Sequence, residues 1–115
     1  MEKYEVRFLQ EALDDLEETA LYIAQNSRAT ALQVHDEIIE KADELSVFPR
    51  RGRLVPDAKM SRAGYRMLLV KPYIAFYRKI GCNVFICRVV HGAANYPLLF
   101  GEISNSANDA DNTQR

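Results

Sequence analysis

The chain has 115 residues, of which 48% are hydrophobic and 27% charged, with only five glycines and four prolines. That length fits one domain with a single core, and the composition excludes disordered, fibrous and low-complexity classes. No apolar run reaches the roughly 18 residues that span a bilayer, and the opening Met1-Glu2-Lys3-Tyr4-Glu5 lacks the basic-then-apolar order of a signal peptide, so a cytoplasmic protein without a membrane partner is expected.

Tyr4, Val6 and Phe8 alternate with Glu5, Arg7 and Leu9, a period of two that predicts a short opening strand. From Gln10 the period lengthens. Leu9, Leu13, Leu16, Ala20 and Ile23 recur at helical spacing, while Glu11, Asp14, Asp15, Glu17 and Glu18 fall outside that stripe, which predicts an amphipathic helix. Asn26-Ser27 interrupts it, Ser27 is placed to cap a second helix, and Ala31, Val34, Ile38, Ala42 and Leu45 restore the stripe until Pro49 ends it. So short a connection folds the two helices into an antiparallel hairpin.

Residues 49–64 have no period, two prolines and five basic side chains, and are expected to form a basic loop. Three apolar runs follow, 65–71, 73–79 and 83–91, separated by Lys71-Pro72 and a turn at Gly81, the pattern of an antiparallel meander. The expected fold is therefore α+β, in the order β-α-α-β-β-β, with the helical hairpin packed on one face of a small antiparallel-rich sheet. A single domain over residues 1–101 is expected, and residues 102–115, small and polar, are expected to form a mobile tail.

If both hairpin loops hold an even number of residues, strand parity sorts the sheet into two faces. One collects Met67, Leu69, Ile74, Phe76, Phe85, Cys87 and Val89 and is apolar enough to receive the helices. The other collects Arg66, Leu68, Val70, Tyr73, Ala75, Tyr77, Val84, Ile86, Arg88 and Val90. Half apolar and carrying two arginines and two tyrosines, it is expected to be a docking surface. Cys82 and Cys87, on one strand, would lie about 17 Å apart, beyond disulfide reach. No second Cys/His pair completes a metal set, so both are expected as core thiols, with no metal and no cofactor.

The net charge of −1 conceals a division at Pro49. Residues 1–48 hold four basic and twelve acidic side chains, a balance of −8, whereas residues 49–101 hold ten basic side chains against Asp57 alone, a balance of +9. A basic field of that kind attracts phosphates or an acidic protein partner, unless the two halves neutralise each other within the domain.

The β-α-α-β-β-β order resembles the RelE/ParE superfamily of bacterial type II toxins. So do the pieces Phe48-Pro-Arg-Arg-Gly-Arg53, Tyr65-Arg66, Phe76-Tyr77-Arg78 and Arg88-Val-Val-His91-Gly92. The resemblance spans about residues 4–100 and implies a plasmid-stabilisation toxin held inactive by an antitoxin segment that folds on it, as a hetero-oligomer or with a homodimer besides. In the RelE-like branch, cleavage of mRNA on the ribosome uses an arginine in a G-Y-R-L-V-Y stretch and two basic residues two apart on the preceding strand. Here the stretch aligns with Pro72–Tyr77, so Ile74 stands at the arginine position, and the basic pair falls on Arg66 and Leu68. The P-Y-x-x-F-Y-R run and the R-V-x-H-G ending are closer to the ParE-like branch, which implies DNA gyrase as target and a ParD-like antitoxin as partner.

Candidate residues for target or antitoxin contact are Arg50, Arg51, Arg53, Arg66, Tyr73, Tyr77, Arg88 and His91. No catalytic residue is expected under the gyrase reading. The alternative, a metal-independent endoribonuclease, would draw on Arg66, Arg88, His91 and Tyr96, because phosphodiester cleavage needs a cation for the phosphorane charge and groups to move protons. A third reading is an antitoxin-binding module without toxicity. Each residue also has a plain structural role open to it: a solvated loop for the arginines of 50–53, a paired guanidinium for Arg88, a turn carbonyl for His91 and packing for the tyrosines.

Overall fold

A computed structural model of the chain describes residues 3–92 and 96–99; the expected tail, 102–115, lies outside them. β1 (Glu5–Phe8) leads into α1 (Gln10–Ala24) and α2 (Arg28–Asp43), which ends in a 3-10 turn over Glu44–Ser46. Then come β2 (Arg53–Leu54), α3 (Ala58–Arg62), β3 (Tyr65–Val70), β4 (Tyr73–Ile80), β5 (Asn83–His91) and a 3-10 turn over Tyr96–Leu99. The strands form one sheet in the order β1-β5-β4-β3-β2. The β1–β5 pair is parallel and the other pairs are antiparallel. The expected α+β architecture is present, with the helical hairpin on one face of the sheet.

Local chemistry accounts for the boundaries. Ser27, in extended conformation, accepts the Thr30 N–H at 3.1 Å and starts α2. The inward stripe of α2 is as expected, with Ala31, Ile38 and Ala42 buried and Leu45 beneath the 3-10 turn. In α1 the stripe is turned by one position: Ala12 and Leu16 are buried, Leu13 is 44% exposed, and Asp15 comes inward. Residues 49–64 are not a bare loop, for they carry β2 and α3. Asp57 caps α3 by accepting the Met60 N–H at 2.9 Å. Elements of two and five residues are too short to leave a hydrophobic period in the sequence.

Both hairpin turns hold two residues, Lys71-Pro72 and Gly81-Cys82, so the parity sorting of the strands stands as far as Cys87. The choice of face does not. Leu68, Val70, Tyr73, Ala75, Tyr77, Val84 and Ile86 pack under the helices with Ala12, Leu16, Ile38 and Ala42. Met67, Phe76, Phe85 and Cys87 face the other way, covered by Val55, Met60 and Tyr65 and by Leu9, Tyr96 and Leu99. The expected docking surface is thus the helix-bearing face. The physical reason is that the segment after Pro49 has apolar residues of its own to bury, Val55 and Met60, and takes the second face to do so. Exposed apolar area on the sheet side remains at Leu54 and Leu69.

A bulge adds a second correction. Tyr77 stands opposite Ile86 and Phe76 opposite Arg88, leaving Cys87 as the extra residue. The phase of β5 slips by one, so that Val89, and not Val90, joins the helix-side core. Cys87 is buried as expected, but Cys82 sits in the β4–β5 turn and is exposed. No helix among the described residues is long and apolar enough to cross a membrane.

Candidate functional site

The basic segment before β2 is fastened to the sheet through Gly52. Its N–H donates to the Tyr77 hydroxyl at 2.8 Å, and its carbonyl accepts from Arg66 Nη1 at 2.7 Å. A Cβ at position 52 would stand 2.4 Å from the Met67 carbonyl oxygen and 2.8 Å from Tyr77 Cε1, so only glycine allows the approach. Tyr77 is fully buried. Burial pushes its phenol above the ordinary 10.0, against the downward pull of the Gly52 hydrogen bond and the Arg66 charge. Tyr77, expected on a contact face, is therefore an anchor with no accessible surface, and Arg66 works at the same joint. Arg50, Arg51 and Arg53 flank the glycine and are exposed; Arg51 meets Glu44 at 2.9 Å.

Arg88 lies just past the bulge and reaches α1. Its Nε and Nη2 donate to the two oxygens of Asp15 at 2.8 and 3.1 Å, and the Val89 N–H donates to the same carboxylate at 2.9 Å. A bidentate guanidinium–carboxylate pair fixes both orientation and charge. Asp15 was invisible in the sequence as one acid among five on an acidic helix. Its structural partner lies 73 positions away. Beside this pair opens a cleft of about 630 Å³, bordered by Glu18, Tyr22, Tyr73 and His91. Tyr73 is largely buried there, and its ring meets the exposed His91 edge-on, centroids 5.4 Å apart.

On the opposite face a cleft of about 510 Å³ is lined by Arg51, Arg53, Met67, Leu69, Ile74 and Tyr96. The Tyr96 ring lies 5.6 Å from that of Phe76. The four residues considered for RNA cleavage are not brought together. Arg88 and His91 border the helix-side cleft, Tyr96 the far-side one, and Arg66 is held at Gly52. Leu68 is buried under the helices, and Ile74 lines the far-side cleft.

A third cleft, of about 630 Å³, lies where the carboxyl end of α2 meets the residues before β1, and gathers Tyr4, Phe48, Pro49, Arg50, Arg51 and Lys79. Lys79 Nζ stands 5.2 Å from the centre of the Tyr4 ring. Sequence reasoning singled out the two arginines but not Tyr4, Phe48 or Lys79, which only the topology brings side by side. The adjacency of Phe48 to Pro49-Arg50-Arg51 was the one available signal.

A family model described as the ParE toxin of the type II toxin–antitoxin system parDE matches residues 6–96. Among solved structures, the fold is similar to a chain of the chromosomal ParDE toxin–antitoxin system from P. aeruginosa. The two share 23% identity at a TM-score of 0.63, over 77% of this chain and 96% of that one. It is also similar to a chain of the RelBE2 toxin–antitoxin complex from Mycobacterium tuberculosis, with 24% identity and a TM-score of 0.61, over 82% and 97%. At such identities the structures establish a common fold. No curated protein matches the sequence. The family model runs from within β1 to the turn that follows β5, and on that match the chain belongs to the ParE toxin family of type II toxin–antitoxin systems.

Proposed function

We propose that this toxin acts by inhibiting DNA gyrase, without hydrolysing a phosphodiester bond, and that a ParD-like antitoxin neutralises it. The observation that carries the reading is the commitment of its two central arginines. Arg88 is paired with Asp15 and Arg66 is held through one N–H on the Gly52 carbonyl, while the resemblance puts Ile74 where the RelE-like branch has its phosphate-binding arginine. RNA cleavage without metal requires a cation, a base and an acid around one phosphate, and of the candidates for those roles only Arg88 and His91 share a cleft, with Tyr96 on the opposite face. The antitoxin is supported by the family and by the two similar solved structures, both from toxin–antitoxin systems.

Target contact is assigned to the exposed Arg50, Arg51 and Arg53, held on a rigid joint by Gly52, with His91, backed by the buried Tyr73 ring, offering a second rim. The basic side chains of residues 49–101 outside the Arg51–Glu44 and Arg88–Asp15 pairs steer the molecule toward a DNA-bound, negatively charged target. The test is supercoiling of relaxed plasmid by purified gyrase with the full chain added. Inhibition that is weakened by combined alanine substitution of Arg50, Arg51 and Arg53 supports the reading. Unaffected supercoiling at saturating toxin refutes it. Codon-registered mRNA cleavage on induction, abolished by Arg66→Ala, would assign the chain to the ribonuclease branch, and harmless overexpression would leave an antitoxin-binding module without toxicity.

A further inference from the structure

We propose that the cleft between the carboxyl end of α2 and the start of β1 is a binding site for the phosphate-and-base unit of a nucleotide. Its walls are apolar and aromatic, from Tyr4, Val47, Phe48 and Pro49, and its rim is cationic, from Arg50, Arg51 and Lys79. Glu44 engages Arg51 at 2.9 Å, which fixes that guanidinium and leaves the rim with a net positive charge from Arg50 and Lys79. Lys79 is held over the Tyr4 ring, and Phe48 keeps 55% of its surface exposed beside them. The exposed part of the Phe48 ring lies beside three cations, which places an apolar plane and positive charge within one cleft.

The volume, about 630 Å³, falls within the range of small-molecule sites. A planar base stacks on an aromatic side chain, and a phosphate is met by guanidinium and ammonium groups at the rim; together these are the two halves of nucleotide recognition. A peptide of acidic residues alone would satisfy the cations and leave the ring uncovered. The free nucleotide and one residue of a strand present the same chemistry. The site shares no aromatic residue with the clefts of Tyr96 or of Arg88 and His91, and the inference does not rest on gyrase being the target.

The full chain is titrated at low salt, by calorimetry, with AMP, inorganic phosphate, a 5′-phosphorylated oligothymidylate and an oligoaspartate. Saturable AMP binding, several-fold tighter than inorganic phosphate, is expected. Phe48→Ala lowers AMP affinity by about fivefold or more, the lower end of what removing a stacking ring costs, and leaves phosphate binding unchanged. Arg50→Ala and Lys79→Ala weaken both. These three side chains are exposed, so the variants fold, which circular dichroism checks. Tighter binding of the oligothymidylate than of AMP assigns the site to a strand, and the reverse assigns it to a free nucleotide; either supports the proposal. It is overturned if neither AMP nor the oligothymidylate saturates, if inorganic phosphate binds as well as the tighter of them, if the oligoaspartate binds more tightly, or if Phe48→Ala has no effect.

Discussion

Replacing Asp15 with alanine measures how much the acidic hairpin owes to the basic sheet. The carboxylate accepts three hydrogen bonds, two from Arg88 and one from the Val89 N–H. The Asp15 side chain is 11% exposed and that of Arg88 20%, so both charges are largely withdrawn from water. Removing one member of such a pair costs about 3–5 kcal/mol. The lower end applies here, because a fifth of the guanidinium still meets solvent. The Val89 N–H, left without its acceptor, adds about 1 kcal/mol. A total of about 4 kcal/mol corresponds, for a domain of this size, to a fall in Tm of about 15 °C. Urea unfolding followed by circular dichroism should show a lower midpoint at unchanged slope. The double variant Asp15→Leu, Arg88→Met, which leaves no charge stranded, should recover at least half of the loss. A loss below about 1 kcal/mol for Asp15→Ala, or a double variant as damaged as the sum of its singles, would show that the pair does not hold the hairpin to the sheet.

Gly52→Ala forces a methyl group onto the Met67 carbonyl and the Tyr77 ring and should destabilise by about 2 kcal/mol through overpacking; an unchanged unfolding midpoint would contradict the close approach. Tyr77→Phe leaves the Gly52 N–H without its acceptor and should cost about 1–3 kcal/mol in the same assay. Alkaline pH should unfold the protein by a calculable route. Burial pushes the Cys87 thiol from 9.0 up to about 12 and raises Tyr77 above 10.0. The unfolded chain releases both protons first, so the stability these groups confer is whole below pH 9 and declines as pH rises toward 12. Urea midpoints at about pH 8 and about pH 10.5 test the sign, and Cys87→Ala should flatten the part of the decline that begins at the lower pH.

Much of this molecule was readable in one dimension. The α2 stripe, the Ser27 cap and the three meander strands follow from periodicity and turn chemistry alone, because each is decided by neighbours along the chain. The face that meets the helices was not, since Met67, Phe76 and Phe85 are as apolar as Leu68, Val70 and Ile86, and parity separates the sets without ranking them. The bulge at Cys87 and the inward turn of Asp15 depend on Arg88 reaching a helix far away in the chain, and no local pattern records that. At the candidate contact surface, the arginines of 50–53 were legible as a cationic run. Gly52 as their fastening, and Tyr4 and Lys79 as their companions, were not, because those contacts exist only once β1, β4 and the end of α2 lie together.

The parallel partnership of the first and last strands has a bearing on biosynthesis. Glu5 through Phe8 have no sheet to join until Asn83 through Ile86 have been made, so β1 waits for the last of the three meander strands. Closing so large a loop is slow compared with forming the helices. A nascent or prematurely terminated polypeptide ending before Asn83 therefore lacks β5 and with it a seat for β1. The sheet closes along its parallel edge only once β5 has been made.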